Sequence, residues 1–278
     1  MNANNRAFYE RLWGDFHSPL AIQLAIHRDS RRPLIKLLAS LVPADSRARF
    51  LEVGCGTALD SCLLASARPE WHAYACDFSQ KAVRLAGANA QALGVDLRTF
   101  AGDLMTLPFP DGSFDLVFSQ GVLEHFPDPA PAMREQVRVL RPDGVLVVDV
   151  PQKYNVYTLR KHQAMREKRW PWGWETEYSV AELKAWAPRY GLDVAGAVGY
   201  QHGKFVDRLL VHPHRSLRRL WARHNGNGQG AGNGYRPGFL ARRWEELWDA
   251  MDTRVGPYLA INVAVAFRKS CLKSRSGQ

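Results

Sequence analysis

Long apolar runs are missing from this sequence, and no stretch approaches the length of a membrane-spanning helix. No signal-peptide pattern opens the chain. Cysteine is scarce: Cys55, Cys62, Cys76 and Cys271 form neither a Cys-x-x-Cys pair nor a zinc-like spacing. They are expected to be reduced thiols of a cytoplasmic protein. Acidic residues are outnumbered, 27 Asp and Glu against 37 Lys and Arg, for a net charge of +10. Such an excess predicts an anionic partner, whether nucleic acid, a membrane surface or an acidic substrate, unless it is simply a basic surface. The hydrophobic share of 46% is that of a protein with a real core, and 278 residues suit one α/β domain with insertions.

The most informative stretch is Phe50-Leu-Glu-Val-Gly-Cys-Gly-Thr-Ala58. Phe50, Leu51 and Val53 suit a buried strand, Gly54 and Gly56 punctuate it, and Leu59 to Ala67 reads as a helix. A strand ending in glycines before a helix lets a ligand lie against bare backbone and meet unpaired N–H groups. The dinucleotide fingerprint would need a third glycine at position 59, which is Leu59. Glu52, inside the apolar run, is costly to bury without a cationic or polar partner, and a ligand ammonium would be one.

Around this stretch the chain alternates strand and helix. Strands are expected at Trp71 to Cys76, Val95 to Phe100, Phe114 to Ser119 and Val145 to Val150, the last following the turn Arg-Pro-Asp-Gly. Helices are expected at Gln80 to Leu93, Ala130 to Leu140 and Ser179 to Ala187. A sixth strand fits Leu192 to Val198, and a last, antiparallel one Tyr258 to Phe267. This pattern predicts a mostly parallel sheet with helices on both faces and ligands at the carboxyl ends of its strands. Gly54, Asp77, Asp103 and Ser119 all fall at or just past such ends.

Residues 46 to 150 resemble class I S-adenosylmethionine-dependent methyltransferases, of the small-molecule type found in ubiquinone and menaquinone biosynthesis. The acid-x-Gly-x-Gly segment is their motif I, with Ala58 where the family usually has a third glycine. The resemblance implies a Rossmann-like seven-stranded sheet with an antiparallel last strand, and S-adenosyl-L-methionine as cofactor. It places Glu52, Gly54, Cys55 and Gly56 at the methionine end of the cofactor, and Asp77 on the ribose hydroxyls. Phe78 would flank the adenine, Asp103 with Leu104 would reach the adenine amino group, and Ser119 would end the fourth strand beside the site. Asp77 could equally be a turn or helix-capping residue, and Gly102-Asp103 an ordinary loop pair.

His125 and Glu124, after the fourth strand, are the candidates for chemistry. Methyl transfer needs alignment of nucleophile and methyl and sometimes a base, which histidine can supply; alternatively the pair only shapes the loop. Some ubiquinone-pathway and RNA 2′-O-methyltransferases hold a divalent ion with Glu-x-x-Glu-His. The first position here is Gly121, so no metal is expected. Residues 1–45 read as a helical cap that related enzymes fold over the cofactor as a lid, making Tyr9 and Trp13 substrate-contact or packing residues.

The methyltransferase domain is expected over 46–270. Residues 151–178 would be a lid insertion bearing Lys153, Arg160, Lys161, Arg166, Lys168 and Arg169 among tyrosines and tryptophans, with Tyr154 and Tyr157 as substrate candidates. That mixture suits an anionic or aromatic substrate, or single-stranded nucleic acid, or a solvated basic helix. A second insertion, 203–255, is basic, apolar and partly glycine-rich, and suits peripheral contact with a membrane, a dimer contact or a cover for the site. A basic tail, 271–278, follows. The expected activity is methyl transfer to a small or lipid-like molecule, at oxygen. The rival readings are an RNA methyltransferase and a cofactor-binding subunit without catalysis.

Overall fold

The computed structural model describes residues 3–16, 20, 23–24, 30–43, 46–170, 175–201, 246, 250, 253–254 and 256–270. The 203–255 insertion lies almost wholly outside them, as do Trp172, Trp174 and the 271–278 tail. Helices α1 (Ala3–Gly14) and α2 (Arg32–Ser40) precede strand β1 (Arg49–Val53). There follow α3 (Leu59–Ala67), β2 (His72–Asp77), α4 (Gln80–Leu93), β3 (Leu97–Ala101) and β4 (Phe114–Gln120). A 3₁₀ turn, Leu123–His125, leads to α5 (Ala130–Val139), β5 (Leu140–Pro151), α6 (Val156–Arg166) and α7 (Val180–Lys184). After a 3₁₀ turn at Ala187–Tyr190 come β6 (Leu192–Tyr200), α8 (Gly256–Leu259) and β7 (Asn262–Lys269).

The sheet has seven strands in the order β3-β2-β1-β4-β5-β7-β6. Pairs from β3 to β5 are parallel, and β7 runs antiparallel to both neighbours. Alternation with period two sends side chains to two cores. Leu51, Val53, Val117, Leu146 and Val148 enter one, whereas Phe50, Leu116, Phe118, Val145 and Val147 enter the other. Both faces are covered, so β4 is buried along Phe114 to Ser119. The Leu34 and Leu38 side chains of α2, each contributing roughly 1.5–3 kcal/mol, are fully buried in the second core, which also holds Phe50 and Phe118.

Two strands differ most from the expected spans, the others by one or two residues at an end. The Arg141 to Gly144 turn lies within β5, and Phe114 pairs with Leu140 while Leu116 already pairs with Val145. Asp143, at φ 60°, absorbs the extra residues as an irregularity rather than a break. The last strand starts at Asn262, because Gly256-Pro257 open the helical turn that takes up Tyr258 and Leu259. The Ser179 helix is also short: its capping box with Glu182 starts α7, which ends at Lys184. Among the described residues no helix is long and apolar enough to cross a membrane.

Candidate functional site

The carboxyl ends of β1, β2 and β4 open into a cavity of about 920 Å³, bordered also by α1 and the 151–178 insertion. That volume falls in the range of small-molecule sites. Its floor is the turn between β1 and α3. Gly54 has φ +70° and Gly56 φ +52°, conformations that side chains strain to adopt. Ala58 shares this left-handed conformation at φ 52°. That explains the usual glycine there, since alanine costs about 1–2 kcal/mol in such a conformation.

Both glycines also make room. A Cβ at Gly54 would lie 2.4 Å from Val122 Cγ2, and one at Gly56 would lie 2.7 Å from the Trp13 ring. Trp13 of α1 therefore sits directly on the glycine turn. Gly54→Ala is expected to lower stability by roughly 1–3 kcal/mol and to weaken cofactor binding. Gly94→Ala is the control, with φ +64° but nothing within 4 Å of a new Cβ. It should show the backbone cost in thermal unfolding and leave calorimetric binding untouched. Equal binding losses in both variants would mean that the Gly54 turn has no special role.

Asp77 ends β2 and is nearly fully buried. Its carboxylate accepts hydrogen bonds from Gly56 N and Ser79 N, each at 2.9 Å. It is thus a turn-forming residue that also borders the cavity. Burial raises its pKa, and the bonds from Ser79 and Gly56 pull the other way. Phe78, Leu104, Cys55 and Asp103 also line the cavity, Asp103 accepting from Met105 N at 2.9 Å. Ser119 does not border it. This residue is enclosed between Val53 and Val148 in the sheet, and Gln120 and Gly121 face the cavity in its place.

Glu52 finds its partners within the protein. Ser61 donates to it through both its amide and its hydroxyl, and Asp60 lies beside it. Burial first and Asp60 second raise the Glu52 pKa. Arg31 Nε is 4.0 Å from Asp60, and Arg31 Nη1 donates to Tyr200 Oη at 2.7 Å. Tyr200 donates in turn to Asp149. Three buried carboxylates, Glu52, Asp60 and Asp149, therefore share one guanidinium. Arg31, Asp60 and Asp149 are not among the residues expected at the site from the sequence. Asp149, an acid within Val147-Val148-Asp149-Val150, carries the same signal that singled out Glu52.

Burial pushes the Asp149 pKa up from 3.8 to about 7, against the pull of Arg31 and Tyr200. A carboxyl that holds its proton more tightly when folded stabilises the fold fully below its ordinary pKa. That contribution fades as pH rises through the folded value. Without cofactor, the melting temperature should fall between about pH 4 and pH 7, and Asp149→Asn should flatten the fall. Glu52, shifted in the same direction, leaves part of the slope. Identical slopes in the two proteins would contradict the assignment.

His125 closes the 3₁₀ turn after β4 and is 4% exposed. Its Nε2 lies 2.7 Å from the Tyr9 hydroxyl of α1, and the donor depends on the imidazole tautomer. Burial first, then Glu124, Glu175 and Asp77, raise the Tyr9 pKa, so the phenol stays neutral. Glu124 is 2% exposed, its carbonyl accepts from Thr176 N at 2.9 Å, and burial raises its pKa well above the carboxylate range. Its Oε2 accepts no hydrogen bond from the described residues.

In the insertion, Tyr157 borders the cavity but Tyr154 does not; it is 65% exposed, with the Lys153 ammonium 5.9 Å from its ring centroid. Lys161 is buried between Glu175, at 2.6 Å, and Glu177, at 2.7 Å. Among the described residues no three His, Cys, Asp or Glu side chains are placed to hold a metal ion.

These residues fit S-adenosylmethionine. The left-handed glycines leave a bare backbone cradle, and an acceptor-only carboxylate at the cavity wall, that of Asp77, suits a ribose diol. The carboxylate excess around Arg31 suits a ligand carrying an ammonium, a sulfonium and one carboxylate.

The comparisons agree. Residues 51–148 match the family model described as a methyltransferase domain. The chain is 31% identical over 196 residues to a trans-aconitate 2-methyltransferase of Azoarcus sp., covering 69% of this chain and 67% of that one. It is 30% identical over 222 residues to a malonyl-[acyl-carrier protein] O-methyltransferase of Herminiimonas arsenicoxydans, covering 77% and 79%. A crystal structure of a methyltransferase from Thermotoga maritima superimposes with a TM-score of 0.62, over 95% of this chain and 99% of that one, at 16% identity. Site, fold and sequence thus converge, and the chain belongs to the class I S-adenosylmethionine-dependent methyltransferases.

Proposed function

We propose that this methyltransferase alkylates an oxygen atom of a small molecule, with His125 taking the acceptor's proton. When bound, the cofactor supplies an electrophilic methyl on a sulfonium whose departing sulfur needs no protonation. The chain's own residues must therefore hold the acceptor in line and relieve it of a proton; positioning can supply up to ~7–11 kcal/mol. Asp77 and the Gly54–Ala58 turn bind and orient the cofactor. Trp13 and Tyr9, delivered by α1, cover the glycine turn and His125 and exclude water.

One observation carries the proposal: a hydroxyl oxygen, that of Tyr9, stands 2.7 Å from His125 Nε2 in the cavity wall. An acceptor hydroxyl that displaces Tyr9 would meet the same nitrogen at the distance general-base catalysis requires. The names of the relatives, one a trans-aconitate enzyme and one an O-methyltransferase, agree with small-molecule and oxygen chemistry. Purified protein given methyl-labelled cofactor and cell extract should label the small-molecule fraction, in products stable as ethers or esters. Label confined to RNA, or attached to nitrogen or carbon, would refute the oxygen reading.

A further inference from the structure

The cavity's charge opposes that of the chain. A net +10 and the cations of the insertion predict an anionic acceptor. Yet Arg31 is the sole Lys or Arg side chain among the described residues that line the cavity. Arg160, Arg166, Lys168 and Arg169 are exposed, Lys153 pairs with Glu182, and Lys161 is held between Glu175 and Glu177. Acids line the cavity instead. Part of that excess, on and around the glycine turn, answers the cofactor's own positive charge. Glu124 and Glu175 do not belong to that group: one adjoins His125, and the other lies on the insertion.

Glu124 is the telling residue. It is 98% buried, it borders the cavity, and its Oε2 accepts no hydrogen bond from the described residues. Burial raises its pKa, so with no cation beside it among the described residues the group holds its proton, and a cation that binding brings would let it ionise and would fill the open position at Oε2. Its setting is aromatic as well: Tyr9, Phe126, Tyr157 and Trp170 line the same cavity. The Trp170 ring already holds one cation, the Lys161 ammonium 5.4 Å from its centroid. Aromatic faces beside a carboxylate attract ammonium groups, whereas a polyanion would meet Glu124 and Glu175 with no free cation among the described lining residues to offset them.

Building on the reading of this cavity as the methyl-acceptor site, we infer that the acceptor carries a positively charged nitrogen and that Glu124 recognises it. With transfer to oxygen, the substrate class is a hydroxylated amine. Its hydroxyl faces His125 and its ammonium faces Glu124. This separates the chain from a relative named for trans-aconitate, an anion.

The test uses three probes with one ring and one hydroxyl but different charge: tyramine, 4-ethylphenol and 4-hydroxyphenylacetate. Each is titrated by calorimetry and ligand-observed NMR into the full chain loaded with S-adenosylhomocysteine. Tyramine should bind roughly tenfold or more tighter than 4-ethylphenol, the value of one charge-assisted hydrogen bond, with the carboxylate probe weakest. Glu124→Gln should erase that preference while S-adenosylhomocysteine still binds. Tyr157→Leu, at a half-exposed position, should reduce it about two- to fivefold.

No tyramine binding, equal binding of all three, or preference for the anion in the wild type overturns the inference without recourse to any variant. Persistence of the preference in Glu124→Gln removes Glu124 as its source. Failure of the wild type to bind S-adenosylhomocysteine would strike instead at the methyl-transfer reading of the cavity.

Discussion

His125→Ala should lower turnover by ~10²–10⁴-fold while affinity for S-adenosylhomocysteine stays nearly constant. The imidazole is buried in the cavity wall, and its Nε2 already lies within hydrogen-bonding reach of one hydroxyl. Removing it leaves the glycine turn and Asp77 in place, so the loss falls on kcat. The acid limb that an imidazole base imposes on the pH–rate profile should vanish with it. Tyr9→Phe separates base from cover: it removes the partner of Nε2 but keeps the ring beside His125, centroids 5.1 Å apart. It should therefore cost far less than His125→Ala. A His125→Ala enzyme with near wild-type turnover and an unchanged pH profile would remove the base and leave family membership standing.

Asp77→Ala should weaken binding of the cofactor and of its demethylated product by ~3–6 kcal/mol. Two hydroxyl bonds to a charged acceptor are worth ~1.5–3 kcal/mol each. Calorimetry would read this as roughly a 10²–10⁴-fold rise in Kd. The same substitution frees Gly56 N and Ser79 N, which the carboxylate now holds at 2.9 Å. Part of the loss would then come from a loosened turn rather than from the ribose. Asp77→Asn distinguishes the two, because an amide oxygen can keep one backbone bond but cannot receive both hydroxyls. Unchanged affinity in Asp77→Ala would refute the ribose assignment outright.

The sheet was legible because strands buried on both faces are continuous apolar runs, and Val145 to Val150 or Val263 to Phe267 can be little else. The glycine turn was legible for a similar reason: φ of +70° and +52° at Gly54 and Gly56 leaves few other residues. Contacts between distant segments were not. Tyr9 meets His125 across 116 residues, and Arg31 meets Tyr200 across 169, and no local pattern encodes either pairing. The role of the insertion stayed open for a related reason. Composition shows that it is rich in lysine and arginine, but only the fold decides that those side chains face solvent or internal acids. The acidity of the cavity is dispersed over Glu52, Asp60, Asp77, Asp103, Glu124, Asp149 and Glu175, and becomes a feature only when the chain closes.

The position of β7 bears on how the chain is synthesised. Because β7 lies between β5 and β6, β6 leaves the ribosome before its one sheet neighbour among the described residues exists. Residues 201–261 must be translated first, which at ordinary elongation rates takes roughly 3–12 s. Over that interval the apolar edge of β5 has no partner, although Val145 to Val148 and Val150 are buried in the finished protein. A nascent edge of this kind is a template for pairing with another chain. The protein is thus most exposed to misassembly on the polysome, just before its last strand arrives, and truncation ahead of Asn262 would make that exposure permanent.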